Sequence, residues 1–366
     1  MHPTKTHHFE SLDETTALVR PVLFDAYTHS CDGTLRNELN KTYQVALKRR
    51  LDGGPLLRPH LARTCFELSG GKDWKSLLCV FAAVEALNIS TYQSNYCFDR
   101  KAGVKTVAER NNQFIAAMLS LSVARNLLAR EDILSLQQRD SLTALLMQAN
   151  ADVYTGQFID LNTLNYSCLS DQLTPQAFTD VYLRRCDLIA GSTFRACVAG
   201  AIAGSASQNL IAALTEYLSA FGAAAQIIND LGDYIPRRTK DYAAPFSDLS
   251  LGRLTLPLYL LARAGCDIDD WRYSLRRGSV SKVADAVSEE IARNNIEEQV
   301  RMFAKIHVMP KVRHSIRTIE KLAGSFAASS LWFVYPFIYD SKMLRHFRQD
   351  GLAMARRRAL GDTGRE

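Results

Sequence analysis

Apolar residues return every three to four positions through nearly the whole of this 366-residue chain, and that period belongs to helices packed face to face. It is plain in "LLCVFAAVEALNIS", "NNQFIAAMLSLSVARNLLA", "RDSLTALLMQANADVYTGQFIDL" and "LIAALTEYLSAFGAAAQIIND", while clear two-residue alternation of a half-buried strand is absent. Breaks fall at "DGGPLLRP", at "SDQLTPQ", where Thr174 ahead of Pro175 reads as a helix opening, and at "YIPRRTKDYAAPFSD". Roughly ten or more helices with short connections follow, and they can hide their apolar faces only against one another. An all-α bundle around a central cavity is therefore expected. "AGSTFRACVAGAIAGSASQ" would make a poor isolated surface helix and reads as a place of close helix approach or a cavity wall.

No linker, repeat or composition break divides the chain, so one domain over residues 1–366 is expected, with 1–40 as an N-terminal extension and first helix and 341–366 as a basic tail. Apolar residues make up 47% and charged residues 22%, which predicts a sizeable core and excludes general disorder. The net charge of +6 is partly concentrated in "MLRHFRQDGLAMARRRALGDTGRE", where Arg356, Arg357 and Arg358 run together. No zinc-finger spacing, aromatic RNA-binding signature or basic heptad accompanies it, so nucleic acid is not an expected partner. The eight cysteines form no CxxC pair and read as small buried hydrophobes in a reducing compartment. The N-terminus lacks an apolar leader and no window reads as long enough to cross a bilayer, so a cytoplasmic protein without a transmembrane segment is expected.

The segment "QIINDLGDY" carries the sharpest chemistry. Asn229 and Asp233 stand four apart and share a helix face, with Asp230 on the flank. That is how a helix offers oxygen ligands to Mg²⁺, although an ordinary helix end would read the same way.

Several ordered stretches together resemble the trans-isoprenyl diphosphate synthases, the polyprenyl synthetase branch of the class I terpenoid synthase fold, from about Asp52 to about Leu260. "GGPLLRPHL" is similar to the GGKRxRP segment, "VEALNISTYQSNYCFD" to the helix ending in the first aspartate-rich motif, and "GQFIDL" to the Gln and Asp element. "QIINDLGDY" is similar to the second aspartate-rich motif and "SDLSLGRLTLPL" to the D-x-x-x-G-K-x-T-x-P run. The resemblance implies a homodimer in which two acidic walls hold Mg²⁺ against the diphosphate of an allylic substrate, while an apolar pocket keeps the resulting cation from water. It implies Asp230, Asp233 and Arg253 as catalytic residues, and Asn229, Asp230, Asp233 and Asp99 as metal ligands. Arg58, Asn95, Tyr96, Asp99, Gln157 and Asp160 are implied substrate-binding residues, and Arg237, Arg238 and Lys240 read either as a substrate-binding basic flap over the diphosphate or as a solvated loop.

Departures from the family pattern are not scattered. The first motif reads Asn95, Tyr96, Cys97, Phe98, Asp99, so only its last carboxylate remains. Cations that would hold isopentenyl diphosphate are replaced by Pro55, Asn88, Ala102 and Ile189, while Arg58 survives and Arg253 stands for a lysine. Losing several charge-assisted contacts to a trianion argues against ordinary chain elongation. Small residues at Ser90 and Thr91, ahead of the first motif, favour a farnesyl or geranylgeranyl donor.

Three functions stay open on these residues. One is Mg²⁺-dependent ionisation of a prenyl diphosphate with transfer to an acceptor that carries no diphosphate. Another is a terpene synthase, in which the donor's own double bonds are the nucleophile. The third is a non-catalytic subunit that regulates a prenyl diphosphate synthase.

Overall fold

The computed structural model describes residues 5–30, 56–98, 106–169, 173–234, 246–324 and 331, and among them there is helix but no strand. Helices α1 (Lys5–His29), α2 (Leu57–Leu68), α3 (Leu78–Phe98), α4 (Val107–Ala129) and α5 (Leu136–Asn162) come first. The middle of the chain supplies α6 (Pro175–Cys186), α7 (Ser192–Arg195), α8 (Ala199–Ala203) and the long α9 (Gln208–Tyr234). Two short helices follow, α10 (Ser247–Leu251) and α11 (Leu256–Arg263). The last four are α12 (Ile268–Arg276), α13 (Val280–Arg293), α14 (Ile296–His307) and α15 (Met309–Ala323).

Helix starts are fixed by local chemistry. Thr174 accepts a hydrogen bond from the Ala177 amide at 3.2 Å, with Pro175 in the first turn of α6, as the sequence predicts. Thr106 and Glu109 form a reciprocal capping box on α4, and Ser135 and Gln138 do the same on α5. One hydrophobic cluster runs from Val19 through α3, α4, α6 and α9 to Leu331.

The Ala-, Gly- and Ser-rich stretch is not one uniform helix. After α6 the chain makes a single π-helical turn, Asp187–Gly191, then α7, a 3₁₀ turn at Ala196–Val198 and α8. Its small residues do allow close approach, because a Cβ on Gly200 would lie 1.7 Å from the Ala62 carbonyl oxygen. A Cβ on Gly222 of α9 would lie 2.7 Å from the Ala190 carbonyl oxygen. These contacts clamp α9 against the Asp187–Gly191 turn and α8 against α2.

The membrane expectation needs correction in one respect. Pro175–Ala203 and Gln208–Tyr234 are long and apolar enough to cross a bilayer by length and composition, with 72% and 56% of those windows buried in the bundle. Both segments contribute residues to the hydrophobic core, and packing against other helices accounts for their apolar faces.

Candidate functional site

The ends of α3, α5, α6 and α9 converge with the turn before α11 on one buried polar layer. An isolated antiparallel bridge between Asn165 and Arg253 places that turn, with the Tyr166 amide donating to the Gly252 carbonyl at 2.6 Å and the Leu254 amide to the Leu164 carbonyl at 2.8 Å. Gly252 has φ +72, a left-handed conformation suited to glycine, and it leads directly into Arg253.

Within the layer, Arg185 Nε donates to Asp160 Oδ1 at 2.7 Å and Arg185 Nη1 to Asp230 Oδ2 at 2.6 Å. Arg253 Nη1 donates to the other Asp160 oxygen at 2.7 Å, and its Nη2 to the Phe98 carbonyl at the end of α3. Asp230 also accepts from the Tyr182 hydroxyl on Oδ2 and from Gln226 Nε2 on Oδ1, both at 2.7 Å. Burial pushes the Asp230 carboxyl above the usual aspartate range, and Arg185, Tyr182 and Gln226 hold back that rise. Burial also opposes the charge on Arg185, but Asp160 and Asp230 outweigh it and its pKa is well above normal. Two arginines face two aspartates, so the interior of the layer is balanced.

Asp233 lies on the partly exposed side. Its Oδ1 accepts from the Ser247 hydroxyl at 3.0 Å and its Oδ2 from the Asp248 amide at 2.9 Å, which ties α9 to α10. Burial, then the nearby Asp233, Asp230 and Asp160, pushes the Asp248 carboxyl well above its ordinary value. Asn229 is exposed and Asp230 is buried, so the two neighbours face opposite ways.

On the first wall, Gln157 Nε2 donates to Asn95 Oδ1 at 2.7 Å. Tyr96 pairs with Tyr92 through their hydroxyls at 3.1 Å, and the Phe98 ring meets Tyr154 edge-on. Arg58 donates to the Thr193 hydroxyl at 3.0 Å and lies over the Phe194 ring at 4.4 Å. Asn88 bonds Glu85 on its own helix at 2.9 Å, and Ile189 is buried in the π turn. Ser90 and Thr91 are buried with their hydroxyls on backbone carbonyls. Asp99, Arg237, Arg238, Lys240, Pro55, Ala102 and the 341–366 tail lie outside the described residues.

The structure brings Asn95, Gln157, Asp160, Asp230 and Arg253 into one region, where their side chains bond one another and other protein groups. Arg253 neutralises Asp160, and Asp230 is held by protein donors where a metal ligand was expected. Mg²⁺ takes near-octahedral oxygen ligation, and inside the buried layer Asp160 and Asp230 offer it no uncompensated charge, because Arg185 and Arg253 already pair with them. Among the described residues no three His, Cys, Asp or Glu side chains are placed to hold one ion.

Arg185, Tyr182 and Gln226 are the residues that sequence reasoning missed. A signal was available, because Phe178, Tyr182, Arg185 and Cys186 form one buried stripe, and a charge on such a stripe requires an opposite charge facing it.

Comparisons with known proteins agree with this architecture. The family model described as polyprenyl synthetase matches residues 52–289. Decaprenyl-diphosphate synthase subunit 1 of Schizosaccharomyces pombe is 28% identical over 193 residues, 52% of this chain and 50% of that protein, so the chain spans about half the length of that curated relative. The polyprenyl synthase of Caulobacter crescentus, solved with calcium and isoprenyl diphosphate, superposes with a TM-score of 0.72 at 18% identity over 92% of this chain and 98% of that one. The geranylgeranyl pyrophosphate synthase of Lactobacillus brevis gives 0.68 at 18% identity, over 90% and 97% of the two chains. These likenesses establish the all-α terpenoid synthase fold. With the family model covering well over half of its length, the chain belongs to the polyprenyl synthetase family.

Proposed function

We propose that this chain is the non-ionising subunit of a heteromeric prenyl diphosphate synthase, its partner being a synthase with complete aspartate-rich motifs. One observation carries the reading: Asp160, Asp230 and Asp233 all accept hydrogen bonds from the protein itself. In the buried layer Asp160 and Asp230 already have their charge answered by Arg185 and Arg253, so an ion there would compete with charge-assisted bonds that are costly to lose. The curated relative is itself named a subunit of a synthase, which is consistent with assembly. Metal-dependent chemistry then belongs to the partner, and this chain supplies a helical body for it to pack against.

The test has two arms. Supplied alone with Mg²⁺ and geranyl, farnesyl or geranylgeranyl diphosphate, the chain should release no pyrophosphate. Mixed with a decaprenyl-diphosphate-type synthase from the same source, it should co-elute and raise that enzyme's turnover or product length. Pyrophosphate release by the chain alone overturns the proposal.

A second reading is favoured by the acceptor side, where Asn88 is turned to Glu85, Ile189 is buried and Arg58 rests on Thr193 and Phe194. If the chain does turn over, this reading gives it Mg²⁺-dependent activity on farnesyl or geranylgeranyl diphosphate without isopentenyl diphosphate as acceptor. A hydrocarbon formed from donor alone would identify a terpene synthase, and product formed only with a second substrate would identify transfer.

A further inference from the structure

Arg185 is a charged residue on a stripe that is otherwise uncharged. Its side chain is 5% exposed, and those of its partners Asp160 and Asp230 are 2% exposed. One planar cation from α6 bridges a carboxylate of α5 and a carboxylate of α9, using Nε for the first and Nη1 for the second. Arg253 closes the remaining oxygen of Asp160, while Tyr182 and Gln226 complete Asp230.

We infer that Arg185 is a resident cation standing in for a divalent ion between Asp160 and Asp230, so that this layer is complete without metal and takes one up only when the guanidinium is removed. The inference concerns the charge balance of this chain and holds whether or not a partner synthase is bound. A guanidinium cannot lose its proton in a protein, so raising the pH does not discharge it. Its departure would require a buried side chain to swing out and leave two carboxylates with one counter-charge. A neutral side chain at position 185 creates that state permanently, and facing carboxylates short of positive charge attract a cation.

The experiment compares the full chain with Arg185→Met, Arg185→Met/Asp230→Asn and Arg185→Lys. The readouts are Mn²⁺ uptake by electron paramagnetic resonance and melting temperature with Mg²⁺ or EDTA. The melting temperature of the wild-type chain should be indifferent to both additives, and it should show no Mn²⁺ uptake that depends on Asp230. Arg185→Met should melt lower, be partly restored by Mg²⁺, and bind Mn²⁺ at least about tenfold more tightly than wild type. Adding Asp230→Asn should abolish that uptake, and Arg185→Lys should behave like wild type in the Mn²⁺ assay. If Arg185→Met folds only when metal is present, refolding it with Mn²⁺ and measuring the retained ion gives the same answer. An Arg185→Met protein without Asp230-dependent Mn²⁺ uptake overturns the inference, as does a wild-type chain that shows such uptake equally. Pyrophosphate release plays no part in these readouts, so the result is separate from the test of the proposed function.

Discussion

Gln157 donates through Nε2 to the side-chain oxygen of Asn95 at 2.7 Å, joining α5 to the last turns of α3. The Gln157 Oε1 atom is buried with no hydrogen-bond partner among the described residues, so among them the side-chain amide is held through this Nε2 bond. Asn95→Leu leaves the amide without it and should cost about 1–3 kcal/mol in urea unfolding. Asn95→Asp keeps an acceptor there and should be distinctly milder. Equal losses from the two variants would show that the bond contributes nothing.

Breaking the buried ion layer should be far more expensive than deleting a surface pair. Arg185→Met should destabilise by about 3–5 kcal/mol, because two carboxylates then share one arginine. Since Arg185 and Asp230 are in contact, adding Asp230→Asn should recover part of that loss, with a coupling of about 1–3 kcal/mol in a double-mutant cycle. Simple additivity would mean that the two side chains act independently.

The pH dependence follows from Asp248 and Asp230, whose folded pKa values are both raised, chiefly by burial. A raised carboxyl holds its proton more tightly in the folded state than in the unfolded one. Its contribution to stability is therefore complete below the ordinary aspartate range and is lost as pH climbs through the folded value. Asp248→Asn cannot ionise, so its stability advantage over wild type should widen from about pH 4 to about pH 8 in urea titrations. An advantage that shrinks with rising pH would contradict the assignment.

Close backbone approach at Gly200 should tolerate no side chain. Its Cβ would meet the Ala62 carbonyl oxygen at 1.7 Å, backbone against backbone, so Gly200→Ala should cost about 3 kcal/mol or more. Thr174→Ala, which removes only the cap of α6, should cost about 1 kcal/mol. Thermal melts of the two proteins side by side give the comparison.

The helical fold was legible because period and punctuation are local properties, as the Thr174 and Pro175 opening of α6 shows. The runs that contain Gln157, Asp160, Asp230 and Arg253 were legible for the same reason, since each is a local stretch of sequence. Their partners were not. Whether Asp230 faces a metal or an arginine depends on Arg185, which lies 45 residues away on another helix. Proximity of that kind is created by packing, and a motif read along the chain carries only half of each pair. The single warning was a charge at position 185 among residues otherwise suited to a core.

Asp187–Gly191 contains one residue more than an ordinary helical turn of the same span would hold. Such a surplus advances every later side chain by about 100° around the axis. Tyr182 and Arg185, before it, look toward Asp230, whereas Thr193, after it, looks toward Arg58. Deleting one position inside this turn would leave the helix intact but throw one of its halves out of phase, sacrificing either the aspartate layer or the Arg58 contact while the other endures.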